Sequence, residues 1–113
     1  MATPVDELKN GAEELDAVLR AWETGQTPEN EWGHFYGRWL EGVKDRGWTR
    51  RDVYNLIHTI SSNTNGFADR VREQLMEYED GLTGMCSPGD IERFPGDARG
   101  GAFVDYVRSR QWL

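Results

Sequence analysis

Large apolar residues recur at helical spacing between Pro28 and Lys44, and two glycines follow the same spacing beside them. The apolar side chains fall within one arc of about 140° on a helix of 3.6 residues per turn. They are Trp32, Phe35, Tyr36, Trp39, Leu40 and Val43. Gly33 and Gly37 lie one turn apart at the Leu40 edge of that arc. Each interior glycine costs a helix about 0.5–1 kcal/mol relative to alanine. We therefore expect a neighbouring helix or a partner to approach the backbone closely there.

The segment before this aromatic helix has the apolar spacing of a bundle helix. Intervals of three and four residues separate its apolar positions, which are Val5, Leu8, Ala12, Leu15, Leu19 and Trp22. Thr3 and Pro4 suit the N-cap and first helical positions, and Gly25 suits a C-terminal stop. A second start signal at 27–31 leaves only a short connection, which favours an antiparallel pair with the aromatic helix.

Two further helices are predicted beyond Gly47, where the aromatic helix ends. Thr49 and Asp52 have the spacing of a capping box, and the apolar face that follows contains Val53, Leu56, Ile57 and Ile60. A polar break over 61–66 separates this third helix from a fourth. The apolar face of the fourth helix contains Phe67, Val71, Leu75, Tyr78 and Leu82, and Gly84 ends it.

The remaining chain is irregular before one last helix. Residues 85–101 are rich in Pro, Gly and Asp, with one short turn predicted around Ile91 and Phe94. The final short helix buries Phe103, Tyr106 and Val107, with Trp112 and Leu113 folding back. The sequence therefore predicts an all-α fold: one helical domain over 1–113, a bundle of four to five helices with the irregular segment before a short C-terminal helix.

Charge narrows the range of partners. Twenty acidic residues against 13 basic ones give a formal net charge of −7, which argues against direct nucleic-acid binding and favours a basic protein partner. Glu73, Glu77 and Asp80 recur at i, i+4 and i+7 on the fourth helix. Such a row is either a solvated face or an acidic docking surface, and spaced carboxylates also imitate a phosphate backbone.

Candidate chemistry is sparse. The single cysteine, Cys86, excludes an intrachain disulfide and favours a reducing compartment, and with His34 or His58 it could serve a small thiol-dependent enzyme or regulator. No metal or cofactor motif is present, so we expect no cofactor and no metal. No apolar run is long enough to span a bilayer, and a cytoplasmic location without membrane contact is expected.

The aromatic face has two interpretations. It forms the core of the bundle, or its edge stays exposed with Trp22 or Trp48 as a binding hot spot, since tryptophan dominates the energy of many interfaces. In the second interpretation the strip of Gly33 and Gly37 belongs to the same surface. That strip could also serve a homodimer.

The first half of the chain resembles small helical immunity proteins that neutralise bacterial toxins. An amphipathic helix, the Thr27-Pro28-Glu29 loop and the aromatic helix with Glu-Trp-Gly-His-Phe-Tyr at 31–36 carry the resemblance. With the acidic charge, it favours a non-enzymatic inhibitor, an immunity or antitoxin-type protein that blocks a basic partner such as a nuclease toxin or a host-defence complex. The alternatives are an anti-restriction or anti-CRISPR-type inhibitor of a phage or mobile element, a nucleic-acid mimic, and the thiol-dependent protein that uses Cys86.

Overall fold

The computed structural model of this chain describes residues 3–62, 67–85, 91–97 and 102–113. Within these ranges all regular secondary structure is helical and no strand is present, which confirms the predicted all-α fold. The elements are α1 (Val5–Glu23), a 3-10 turn (Glu29–Glu31), α2 (Trp32–Asp45), α3 (Arg50–Ser61), α4 (Asp69–Thr83) and α5 (Ala102–Arg108).

Helix ends follow local chemistry at two positions and depart from it at a third. The Thr49 side chain accepts a bond from the Asp52 N–H, and the Asp52 carboxylate accepts one from the Thr49 N–H, which confirms the predicted capping box. Gly84 ends α4 with a left-handed backbone, φ +67°. The predicted N-cap of α1 is wrong, because Pro4 and not Thr3 occupies the N-cap position, and no side chain caps the helix. The Thr3 hydroxyl instead donates to Asp52 Oδ2 at 2.5 Å, a charged acceptor that only the folded chain brings near.

The aromatic face of α2 forms the centre of the core. Trp32, Tyr36, Trp39, Leu40 and Val43 are buried, and Phe35 is partly buried. They pack against buried side chains from α1, α3 and α4, which are Leu15, Leu19, Trp22, Val53, Ile57, Val71, Leu75 and Leu82. The core interpretation of this face is therefore confirmed.

The apolar row of α1 is buried only over its second half. Val5 is 78% exposed, and Leu8 and Ala12 are partly buried, whereas Leu15, Leu19 and Trp22 are fully buried. Leu8 packs against the core, so the predicted bundle face fails only at Val5, which no described element covers.

The C-terminal part, residues 91–97 and 102–113, is joined by side-chain contacts, and its first segment has no helix. Residues 91–94 are not helical, contrary to the turn predicted there, and the turn lies at 95–96. Ile91 nevertheless packs against Phe103 and Val107 of α5. Trp112 folds back as predicted, with its Nε1 donating to the Val107 carbonyl at 2.8 Å, whereas Leu113 remains exposed.

Arg50 connects this C-terminal part to the bundle. Its side chain is only 2% exposed, and Nη1 donates to the Leu82 carbonyl at 2.8 Å. Nη2 donates to the Glu92 carbonyl and, at 2.7 Å, to Asp97 Oδ2. One guanidinium therefore joins the first turn of α3, the end of α4 and the segment 91–97.

Glycines in α1 and α2 differ in whether the fold requires them. A Cβ on Gly11 would lie 2.2 Å from Cζ2 of Trp48, so only glycine fits there, whereas a Cβ on Gly42 would meet no described atom within 4 Å. Replacing Gly11 with alanine is expected to destabilise the protein by about 1–3 kcal/mol through overpacking. Replacing Gly42 with alanine is expected to stabilise it by about 0.5–1 kcal/mol through helix propensity.

Urea unfolding of the two variants measures these opposite shifts, and each variant is the other's control. A loss of stability in Gly42→Ala as large as that in Gly11→Ala would contradict the assignment of tight packing to Gly11 alone.

Candidate functional site

Trp22 and Trp48 belong to the core, and the expectation that they are exposed is wrong. Trp22 is 0% and Trp48 is 2% exposed. The Trp22 ring stacks on Trp32 with centroids 4.9 Å apart, and the Trp48 ring meets Trp39 edge to face at 5.8 Å. Trp48 fits because Gly11 leaves room for its ring. Trp22 offers no surface to a partner in this conformation, and Trp48 reaches the surface only as part of the lining of a groove between α1 and α3.

The strip of Gly33 and Gly37 faces outward. A Cβ added at either glycine would meet no described atom within 4 Å, so no neighbouring helix in the described part of the chain approaches them. They line a shallow groove of about 540 Å³ together with His34, Arg38, Leu40, Glu41 and Glu92. The expectation of close approach within the fold is wrong, and close approach by a partner or a second copy stays a prediction.

The acidic row on α4 is a continuous part of the surface. Glu73 and Glu77 are exposed and Asp80 is partly buried, and on the same face Met76 is 61% exposed. Sequence reasoning missed Met76, although its position outside the apolar spacing of α4 could have indicated an outward side chain. The face therefore combines carboxylates with one large apolar side chain.

The arginines of α4 do not neutralise this row. Arg72 lies 3.7 Å from Asp69, and the Arg70 guanidinium lies over the Trp32 ring. Glu77 accepts a bond from the neutral Gln74 amide at 3.1 Å. Among the described residues, no lysine or arginine pairs with Glu73 or Glu77, so their charges stay available to a partner.

An aromatic cluster formed by residues of α1, α2 and α4 contains polar atoms. Tyr36 and Tyr78 stack with centroids 3.7 Å apart, and neither the Tyr36 hydroxyl nor Trp22 Nε1 has a hydrogen-bond partner in the described part of the chain. Burial raises the pKa of Tyr78 to about 12 and that of Tyr36 well above its ordinary value. Both phenols thus stay protonated and uncharged at neutral pH.

The remaining candidate chemistry is limited. Ranges 3–62, 67–85, 91–97 and 102–113 contain no group of three His, Cys, Asp or Glu side chains placed to hold a metal. His34 Nε2 lies 2.7 Å from Arg38 Nη2. Cys86 lies outside the described residues, so its thiol hypothesis stays a prediction. In those same ranges, no helix has the length and hydropathy needed to cross a membrane.

The structure thus defines an all-α protein whose surface carries an acidic helix face and open grooves. Comparison with known proteins found no matching family model, no matching curated protein and no matching solved structure.

Proposed function

We propose that this chain is a non-enzymatic protein-binding module, an inhibitor of the immunity or antitoxin type, that docks the outer face of α4 onto a basic protein partner. The observation that carries the proposal is the α4 face itself. Glu73 and Glu77 are exposed without a cationic partner among the described residues, and they flank the exposed Met76.

This combination suits an interface. Methionine is enriched at interfaces and its flexible thioether adapts to irregular surfaces. Carboxylates beside an apolar side chain favour a partner with lysines or arginines, and they accelerate its encounter. Like charges at i, i+4 repel each other by a few tenths of a kcal/mol, and a cationic partner relieves that repulsion.

Charge reversal on α4 tests the proposal. Proteins retained from the native host by the immobilised chain are quantified for wild type and for the Glu73→Lys/Glu77→Lys variant. We expect the retained basic partner to fall by about tenfold or more with the variant, because each reversal replaces an attraction with a repulsion. Binding to wild type is expected to weaken as salt increases.

The matched control is Glu13→Lys/Asp45→Lys, which changes the net charge equally at exposed acids on α1 and α2. It is expected to retain the partner like wild type. If both double variants lose the partner equally, net charge explains the binding and docking through α4 is wrong. If neither loses it, the acidic face plays no part.

A further inference from the structure

An apolar groove runs between the first half of α1 and the length of α3, and Trp48 also lines it. It has a volume of about 390 Å³. Its walls repeat at i, i+3, i+4 and i+7 on both helices, namely Val5, Leu8, Lys9 and Ala12 on α1 and Asp52, Asn55, Leu56 and Thr59 on α3. The Thr3–Asp52 hydrogen bond holds the two helix starts together, so both walls begin at the same end.

The walls favour a helix as the occupant. Seven helical steps extend each wall over about 10 Å, and side chains in such rows receive the ridge of another helix. An amphipathic helix that binds in a groove presents its anchors at i, i+3, i+4 and i+7, which is the spacing of both walls. The exposed Val5 and the partly buried Leu8 and Leu56 supply the apolar contacts.

Charge then defines the occupant's chemistry. A polar cleft of about 670 Å³ continues the groove and shares Leu8, Asp52 and Asn55 with it. Together the groove and the cleft are lined by three cations, Lys9, Arg50 and Arg51, and two carboxylates, Asp52 and Asp97, of which Asp97 pairs with Arg50. Lys9 of the groove and Arg51 of the cleft are exposed and pair with no carboxylate in the described part of the chain. The combined lining therefore has an excess of one positive charge, although the chain as a whole has a net charge of −7.

We propose that the α1–α3 groove binds an amphipathic helix of a partner protein, with an apolar stripe flanked by aspartate or glutamate. This is a second interface, separate from the α4 face and opposite to it in the charge of the partner it fits.

Two synthetic peptides test the groove on the full chain. Each is a helix of about 16 residues with leucines at i, i+3 and i+7, and the flanking positions are glutamate in one and lysine in the other. Fluorescence anisotropy is expected to give the glutamate peptide a Kd below about 100 µM and at least about tenfold tighter binding than the lysine peptide.

Variants locate the binding. Val5→Glu/Lys9→Glu is expected to weaken the glutamate peptide by about tenfold or more. Folding is expected to be preserved, because both side chains are exposed and the new acid at position 5 lies in the first turn, where it suits the helix dipole. Met76→Glu/Arg70→Glu makes the same charge change on α4 and is expected to leave binding unchanged.

Three results would overturn the proposal. They are equal or weaker binding of the glutamate peptide relative to the lysine peptide, an equal effect of the two double variants, and sedimentation of the wild type as a dimer that Val5→Glu/Lys9→Glu converts to a monomer. The last result would assign the groove to a second copy of the chain. None of these experiments depends on Glu73 or Glu77, so failure here leaves the α4 proposal intact.

Discussion

Replacing Arg50 with alanine is expected to lower the free energy of unfolding by about 3–5 kcal/mol, because the Asp97 carboxylate then stays buried without its cation. The Leu82 and Glu92 carbonyls lose their donors in the same variant. Urea unfolding measures the loss. Hydrogen exchange should show faster exchange first at the Phe94 N–H, which donates to Asp97 Oδ2 at 2.7 Å.

Arg51 provides the control for this experiment. It is the neighbouring residue with the same charge, and it is exposed. Arg51→Ala is expected to change the stability by less than about 0.5 kcal/mol. Equal effects of the two substitutions would mean that Arg50 does not hold the segment 91–97 against the bundle.

Replacing Trp22 with alanine is expected to destabilise the protein by about 3–5 kcal/mol, since the side chain is fully buried and its removal leaves a large cavity. Typical domains are stable by only about 5–15 kcal/mol, so the loss is a large part of the total. Urea unfolding with near-UV circular dichroism measures it. Any loss of partner binding in this variant would then arise from unfolding.

Met76→Ala is the control for Trp22, because it truncates a large apolar side chain that is exposed. Its stability is expected to stay within about 0.5 kcal/mol of wild type. If Trp22→Ala were as stable as Met76→Ala, the placement of Trp22 in the core would be wrong.

Helix periodicity predicted much of the fold. The spacing of apolar residues located the five α-helices of the described ranges, and the pairing of Thr49 with Asp52 located the start of α3, because these signals act over a few residues. The same logic failed at Thr3, whose hydroxyl found the Asp52 carboxylate 49 positions away. Local sequence contains no information about such an acceptor.

The candidate surfaces were harder to predict for the same reason. Arg50 and Arg51 are adjacent and chemically identical, and only the tertiary fold buries one and exposes the other. Trp22 and Trp48 suited a hot spot equally well in sequence, but the helices and Gly11 enclose them. The row of Glu73 and Glu77 could be recognised because charged side chains at helical spacing share a face. The α1–α3 groove could not be recognised from sequence, since it depends on the distance between two helices in the folded chain.

The contact between Gly11 and Trp48 has a consequence for recognising relatives of this chain. The Trp48 ring occupies the space where any side chain at position 11 would begin. Evolution can therefore enlarge position 11 only together with a reduction at position 48, and the two positions should co-vary across the 36 residues between them. A sequence with glycine at the first position and tryptophan at the second would share this packing even where its surface has diverged.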